Sequence, residues 1–455
     1  MATYLTRTQT AGDPKKWNFS AWIKRSDLTG DNGFSNIIAV PSGDQGIWIN
    51  SDGRIDIYGT GSVRLQPKAR LRDVSAWYHI VVSYNSTNST QNDRIIAYLN
   101  GARLTDLQEN TMPSLNEDSL FNVNGTVLHI GRRASTAVHF YKGYMAQVIF
   151  TDGYNYAPST FGSTNANGIW VPNSSPSVTY GTNGFKLDFA GTGASADASG
   201  FGADSSGNGN NLASNSLGTN PSTTDQCINN FATMNPLDQS NSYAVGDATS
   251  GTFTLGNLGF SSAGQIGGSE RYYRTGSTIA LPEGGKWYWE AKPTAGSNGL
   301  GFRWTMALMS TSHAYAVDSI KEYTNAQGSW GSYSGDGTVR CNNSTIATYS
   351  TIAVNDIVSF KYDADNRDLF IAKNGTYFNS GSAVLTASNI TDTGQKLIYL
   401  ENGSDGNVAT QMNFGNPPFA IASGNADANG YGNFEYAVPS GYYALCSKNL
   451  AAYGG

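Results

Sequence analysis

Three closely spaced carboxylates form the strongest candidate for metal chemistry in the chain. Asp363, Asp365 and Asp368 lie in the segment YDADNRD, and carboxylate oxygens are ligands that suit calcium. The segment lacks the glycine and the distal bidentate glutamate of an EF-hand loop. Asp and Asn are also common at the tips of hairpins, because their side chains stabilise turns. The sequence therefore favours a turn here, with calcium as the alternative, and it indicates no other cofactor.

Groups that could act as an acid, a base or a nucleophile are isolated along the chain. Glu290 and Glu401 are single carboxylates in otherwise apolar strands. The four histidines lie in separate segments without the spacing of zinc ligands, and we interpret them as packed or surface residues: His79, His129, His139 and His313. The sequence carries no nucleophile-elbow, zinc-protease or phosphate-loop motif. It thus predicts binding rather than turnover, and we assign no catalytic residue.

Aromatic residues outside the alternating strands are the candidates for ligand contact. An aromatic ring packs on the C–H face of a sugar, while neighbouring amides and carboxylates hold its hydroxyls. Six such residues lie in polar, loop-like stretches: Tyr154, Tyr156, Trp170, Tyr315, Trp330 and Tyr333. An alternative for Trp170 is that it pins a crossover of the chain.

Two hairpins would position these residues. Residues 77–101 alternate apolar and polar positions, turn through a polar loop, and end in Asn100-Gly101, a dipeptide suited to a tight turn. Residues 357–375 show the same pattern of an alternating strand, a polar turn and a second strand, and they end in Asn374-Gly375. With 53 Gly and only 14% charged residues, the chain is poor helix material. We predict an all-β protein of two antiparallel, jelly-roll-like β-sandwiches.

Composition shifts along the chain predict the domain limits. The first sandwich is expected at residues 1–189 and the second, with a C-terminal tail, at residues 251–455. The stretch between them, residues 190–250, is rich in Gly, Ser and Asn and short of apolar residues. Because such a composition cannot bury a core, we predict a linker that is pinned to the surface.

Charge and hydropathy exclude several classes of partner. The net charge of −6 argues against nucleic acid and anionic membranes, both of which require clustered Lys and Arg. No run of about 18 apolar residues occurs, so no membrane insertion is expected. The N-terminus does not resemble a signal peptide, and the three cysteines are odd in number and far apart. A disulfide scaffold is therefore not expected.

Ordered motifs make the resemblance to a known family specific. The segments SAWIKR, WYHIVVSY, DRIIAYLNG, LHIGR and YKGYMAQVIFTDG follow one another as the signature strands do in the concanavalin A-like, laminin-G type lectin/glucanase fold. The later segments SSGNGNNL, FATMNPLD, GKWYWEA and FEYAVPSGYYALCSKNL resemble a two-domain family of tailed phages, in which a SPRY-like domain follows. The match covers nearly the whole chain.

This resemblance implies a virion structural protein at the virion surface, either a tail fibre or a head-decorating appendage. Its expected role is recognition of host-surface polysaccharide during adsorption, and its expected partners are other virion proteins and further copies of itself in a homo-oligomer. The alternative is a purely structural capsid or tail component that acts through protein–protein contacts.

A glycan-degrading enzyme is a further alternative that the resemblance raises. Laminarinase-like members of this fold carry an alternating Glu-x-Asp-x-Glu, because a retaining glycosidase needs two carboxylates about 5 Å apart. This triplet does not occur in the chain. Ala146 and Gln147 are neutral at positions where many laminin-G-like domains carry acidic residues that serve a calcium site. The enzyme alternative is therefore disfavoured.

Overall fold

A computed structural model describes residues 3–41, 44–59, 61–218, 221–241, 251–262, 272–296, 304–311, 331–341, 344–403 and 408–454. Contacts divide the chain into two compact units, Met1–Ser222 and Thr223–Gly455. The described residues are almost entirely strand and loop, with one short α-helix. The predicted all-β class is therefore confirmed.

The first unit is built from antiparallel strands. In chain order they are β1 Tyr4–Thr8, β2 Lys16–Arg25, β3 Phe34–Ala39, β4 Gly46–Asn50, β5 Ile55–Gly59, β6 Ser62–Pro67, β7 Trp77–Asn85, β8 Ile95–Leu99, β9 Ala102–Arg103, β10 Leu107–Asn110, β11 Val127–Ile130, β12 Gly143–Asp152, β13 Gly162–Thr164, β14 Trp170–Pro172, β15 Phe185–Leu187 and β16 Ala213–Asn215.

These strands form two main sheets and a small hairpin. An eight-stranded sheet has the order β10-β6-β5-β4-β3-β11-β1-β16, a six-stranded sheet the order β15-β12-β2-β7-β8-β9, and β13 pairs with β14. Alternate residues of β2, including Phe19 and Ile23, enter the core with Ile80 and Val82 of β7. The other residues of both strands face away from the core, so the period-2 pattern fixes which side chains the outer face carries.

The second unit has the same kind of architecture. Its strands are β17 Met234–Asn241, β18 Thr252–Thr254, β19 Gly259–Ser261, β20 Tyr272–Ser277, β21 Lys286–Ala295, β22 Trp304–Ser310, β23 Gly331–Ser334, β24 Thr338–Cys341, β25 Ser344–Thr348, β26 Val358–Asp363, β27 Asp368–Lys373, β28 Thr376–Tyr377, β29 Lys396–Gly403, β30 Ala409–Asn413 and β31 Tyr443–Ala444, followed by α1 Ser447–Tyr453.

One sheet of this unit has the order β17-β20-β29-β22-β23-β24-β25, and the other has the order β18-β19-β30-β21-β26-β27-β28 with β31 beside β21. Trp287 and Trp289 of β21 enter the core, whereas Tyr288 packs in a separate cluster with residues of the C-terminal segment. Leu445 is fully buried in the core, so the C-terminal tail is docked on this domain.

Both predicted hairpins end in the same turn. Asn100 and Gly101 have φ of 48° and 82°, and Asn374 and Gly375 have φ of 49° and 81°. Left-handed backbone at two successive residues is what a two-residue hairpin turn needs, and Asn and Gly tolerate it. In each turn the Asn side chain also accepts a backbone N–H, from His79 at 2.8 Å and from Ile357 at 2.9 Å.

Residues 190–250, predicted as a linker, contribute strand β16 to the first unit and strand β17 to the second. The division by contacts lies at residues 222 and 223, inside that range and away from the predicted limits. Leu212 is fully buried in the first core. Polar side chains add to this order, since Asp204 accepts the backbone N–H of Lys186 and of Asn210. Asx hydrogen bonding thus acts together with apolar contacts in this stretch, which the composition predicted as a linker pinned to the surface.

Candidate functional site

A crossing segment, residues 153–180, covers the outer face of the six-stranded sheet. Its docking begins at Asn155, whose amide donates to the carbonyl of Trp17 at 2.7 Å, to Ser83 Oγ at 2.7 Å and to the carbonyl of Tyr84 at 3.1 Å. The next residue, Tyr156, donates its backbone N–H to Asn18 Oδ1 at 2.8 Å. These polar contacts tie the segment to β2 and β7 at the site where sequence analysis placed ligand-binding aromatics.

His79 is the centre of the polar contacts beneath the crossing segment. It projects from β7 on the outer face and is fully buried. Its Nδ1 lies 3.0 Å from Nε1 of Trp170, and its Nε2 lies 2.9 Å from Ser20 Oγ. Its ring stacks on Trp22 with centroids 4.8 Å apart. The imidazole is thus enclosed by residues of β2 and β14.

The partners of His79 decide its tautomer and exclude a catalytic role. An indole nitrogen only donates, so Nδ1 of His79 must be the acceptor and Nε2 must carry the proton. That proton is donated to Ser20 Oγ, which is the reverse of the polarity that activates a serine nucleophile. Burial also lowers the pKa of His79 to about 3, so the ring is neutral at physiological pH. The Ser20–His79 pair is therefore a structural contact.

Trp170 is held tightly at the position that sequence analysis considered for a ligand. A Cβ atom at Gly101 would lie 2.6 Å from its ring, and a Cβ atom at Gly162 would lie 2.8 Å from it. The ring stacks on His79 with centroids 6.0 Å apart, and the residue is half-buried. These contacts are those of a residue that pins the crossing segment, which was the alternative interpretation of Trp170.

The two tyrosines of the crossing segment differ in exposure. Tyr156 accepts the backbone N–H of Thr179 at 2.7 Å on its hydroxyl and packs edge-on against Phe161. Phe161 in turn lies edge-on to His79, so Tyr156 and Trp170 belong to one aromatic cluster. Tyr154 is 43% exposed. Of these three predicted residues, Tyr154 offers the most accessible ring to a ligand.

The predicted aromatic residues of the second domain are only partly described. Tyr315 and Trp330 lie outside the described residues. Tyr333 lies on β23, where its backbone pairs with Val339 on one side and with Met306 on the other.

The three aspartates of the second hairpin have separate contacts, although all three act electrostatically on Lys286. Asp363 lies 2.7 Å from the Lys286 ammonium and accepts the amide of Asn366 at 3.0 Å. Asp365 accepts the backbone N–H of Gly285 at 3.1 Å, and Asp368 lies opposite Asp363 in the ladder. Among the described residues, no group of three or more His, Cys, Asp or Glu is arranged to hold a metal. The hydrogen bonds that Asp363 and Asp365 accept from backbone N–H groups are those of a turn.

Glu290 has a structural role that the sequence did not reveal. The residue is fully buried on β21, and its carboxylate accepts four hydrogen bonds at 2.9–3.1 Å. The donors are the Tyr288 hydroxyl, the Asn413 amide and the backbone N–H groups of Glu435 and Tyr436. Burial raises the pKa of Glu290, and the four donors oppose this rise. A carboxylate held in this way anchors the C-terminal segment, residues 425–446.

The C-terminal segment caps the second hairpin much as the crossing segment caps the first. A Cβ atom at Gly375 would lie 2.9 Å from the ring of Tyr436, as one at Gly101 would lie against Trp170. Phe434 packs edge-on against Tyr288 with centroids 5.0 Å apart. No local sequence pattern predicts that Tyr436 and Phe434 pack on the second hairpin and on β21, because the residues that they contact are far away in the chain.

An aromatic cage around Lys361 was also missed. Its ammonium lies 4.1 Å from the ring centroid of Phe370, 4.8 Å from that of Tyr377 and 5.0 Å from that of Tyr442. Lys361 and Phe370 are direct partners across β26 and β27, so correct hairpin register would have paired them from sequence. Tyr442 comes from the C-terminal segment, and no local sequence pattern predicts that it packs near Lys361.

Comparison with known families assigns the first unit to a class. Residues 2–155 match the family model described as the Concanavalin A-like lectin/glucanases superfamily. The first unit therefore carries a domain of this superfamily, in agreement with the resemblance of its strand motifs. No curated protein matches the chain.

Several solved structures show a partial likeness. The SPRY domain of human HERC1 has 13% identity and a TM-score of 0.29, covering 39% of this chain and 96% of that one. Lectin II from Ulex europaeus has 9% identity and a TM-score of 0.27, covering 38% and 95%. Tailspike protein 2 from Escherichia coli O157:H7 bacteriophage CAB120 has 16% identity and a TM-score of 0.24, covering 33% and 22%. Each of these three TM-scores is below 0.5.

Within the described residues, no helix has the length and apolar character that crossing a membrane requires.

Proposed function

We propose that the chain is a non-enzymatic glycan-binding protein. The observation that carries this proposal is the match of residues 2–155 to the concanavalin A-like lectin/glucanase superfamily. Within that superfamily the binding alternative is favoured over hydrolysis, because the alternating Glu-x-Asp-x-Glu that supplies the two carboxylates of a retaining glycosidase does not occur in the sequence. In the second unit, the Glu290 carboxylate accepts hydrogen bonds from four donors, so we interpret it as a structural anchor and not as a catalytic group.

The finer proposal is a tailed-phage virion component that recognises host-surface polysaccharide during adsorption. It rests on the ordered motifs of the sequence, which resemble a two-domain phage family with a SPRY-like second domain. Under this proposal the protein acts at the virion surface, as a tail fibre or a head-decorating appendage, together with other virion proteins and further copies of itself. Tyr154 is the ring we assign to sugar contact in the first unit, since it is 43% exposed.

The experiment measures binding of the purified chain to host cells and to polysaccharide extracted from them. Saturable binding is expected, and Tyr154→Ala should weaken it roughly fivefold, the loss expected for one stacked ring. Leu115→Ala is the matched control, because Leu115 is a large exposed apolar residue of the same unit, at 53%. A folded chain that binds no polysaccharide would leave the purely structural virion role. Release of reducing sugar would instead identify an enzyme.

A further inference from the structure

The cage around Lys361 contains a cation without a carboxylate partner. Three aromatic rings approach the Lys361 ammonium within 5.0 Å, yet no described residue forms an ion pair or a hydrogen bond with it. Cation–π contacts of this kind stabilise an ammonium. They do not neutralise its charge, so an anion remains the natural complement.

The surroundings of Lys361 make the positive charge stronger. Lys286 lies on the neighbouring strand β21, and its ammonium is 5.9 Å from the ring centroid of Tyr442, which therefore faces both cations. Burial lowers the pKa of Lys361, and the Lys286 charge lowers it further. Asp363, Asp365 and Asp368 act electrostatically on Lys286, and Asp363 is engaged with it at 2.7 Å. Of the two cations, Lys361 is the one that no described carboxylate contacts.

Two hydroxyl donors lie beside this charge. They belong to Tyr377 and Tyr442, whose ring centroids lie 4.8 Å and 5.0 Å from the Lys361 ammonium. Neither hydroxyl has a hydrogen-bond partner among the described residues, although the hydroxyl of nearby Tyr288 donates to Glu290 at 3.0 Å. Lys361, Phe370 and Tyr377 are half-buried, so a ligand can reach them from solvent.

We infer that Lys361, Tyr377 and Tyr442 form a binding site for the carboxylate of an acidic saccharide. A carboxylate has two oxygens that accept from an ammonium and from hydroxyls together, and the aromatic walls suit the C–H faces of a sugar ring. This inference rests on the proposed glycan binding and adds a second site, in the other unit from Tyr154, together with a ligand class.

The test uses the full chain and three probes, which are oligosaccharides of polygalacturonate, of neutral galactan, and of dextran sulfate, with binding measured by titration calorimetry. Polygalacturonate should bind, and galactan should not bind at this site. Lys361→Met should weaken polygalacturonate binding roughly 10- to 100-fold, the loss expected for one charge-assisted hydrogen bond. Tyr377→Phe should weaken it by a smaller factor, and Lys361→Arg should restore most of the affinity because it keeps the charge.

Lys448→Met is the matched control, since the Lys448 ammonium lies 5.3 Å from a single ring, that of Tyr431, in the same unit. It should leave polygalacturonate binding unchanged. No binding of polygalacturonate, or equal binding by wild type and a folded Lys361→Met variant, would overturn the site. Equal affinity for dextran sulfate would overturn the choice of a carboxylate.

These outcomes separate the site from the proposed function. If the Lys361→Met variant keeps its polygalacturonate affinity and Tyr154→Ala loses host polysaccharide, the site fails and the function stands. If the chain binds none of the glycans, both fail.

Discussion

The indole nitrogen of Trp170 donates a hydrogen bond to Nδ1 of His79 over 3.0 Å, across a buried sheet face. The two residues are 91 positions apart in the chain, so the bond fastens the crossing segment to the central strand β7. Because Trp can only donate, the same bond fixes the neutral tautomer of His79. The position of the segment and the chemistry of the histidine are thus set by one contact.

The first prediction concerns Trp170 itself. Trp170→Phe keeps an aromatic ring but removes the donor, so Nδ1 of buried His79 loses its partner. We expect the free energy of unfolding of the first unit to fall by about 1–3 kcal/mol, measured by chemical denaturation. Tyr154→Phe is the control in the same segment and should change it by less than about 0.5 kcal/mol. An unchanged stability in Trp170→Phe would show that the bond does not hold the segment.

The second prediction concerns pH. Burial lowers the pKa of His79 to about 3 in the folded chain, from the ordinary value of 6.5 for histidine. As pH falls below about 6.5, the unfolded state takes up a proton that the folded state refuses, so stability falls by up to roughly 1.4 kcal/mol per pH unit. Between about pH 6.5 and pH 4.5 we expect a loss of roughly 2–3 kcal/mol from this residue.

The His79→Asn variant isolates the contribution of His79 to the pH dependence of stability. The Asn side-chain oxygen can accept the hydrogen bond from Trp170, and the Asn side chain does not titrate. Subtracting the variant's pH profile from that of the wild type removes the other titrating groups, including His129 and His139, whose pKa values burial also lowers. A difference that stays flat between pH 6.5 and pH 4.5 would contradict a buried neutral His79.

The sequence predicts the strands and turns of this fold better than it predicts the positions of the crossing segment and the C-terminal segment, which pack on them. Apolar and polar residues alternate in β2 and β7, which indicates the face that carries Phe19, Ile80 and Val82 into the core, and the Asn100-Gly101 turn follows from backbone preference alone. The packing of these two segments cannot be predicted in this way, because it depends on contacts between distant residues. Glu290 and Tyr436, for example, are hydrogen-bonded but 146 positions apart. Local patterns show that a face is apolar or polar, but they do not encode which distant segment packs on it.

The third prediction concerns this distant anchor in the second unit. Glu290→Gln replaces one acceptor oxygen with a donating amide, so at least one of the four donors loses its partner. We expect the second unit to lose about 1–3 kcal/mol and residues 425–446 to become sensitive to limited proteolysis. Glu435→Gln, a half-exposed neighbour that keeps an acceptor for the Ala422 N–H, should leave both properties nearly unchanged. Full protease resistance in Glu290→Gln would mean that the anchor lies elsewhere.

The final prediction concerns the two turn glycines, which lie under aromatic rings in both units. Gly101→Ala and Gly375→Ala place a methyl group 2.6 Å from Trp170 and 2.9 Å from Tyr436, at φ of 82° and 81°. Gly125→Ala is the control, since its φ is 79° and no atom lies within 4 Å of the added carbon. The control reports backbone strain alone, about 1–2 kcal/mol. Both turn variants should exceed it in thermal and chemical unfolding, because the ring must also move. If all three variants lose the same stability, the rings do not cap the turns, and the similarity between the two units ends at the hairpins.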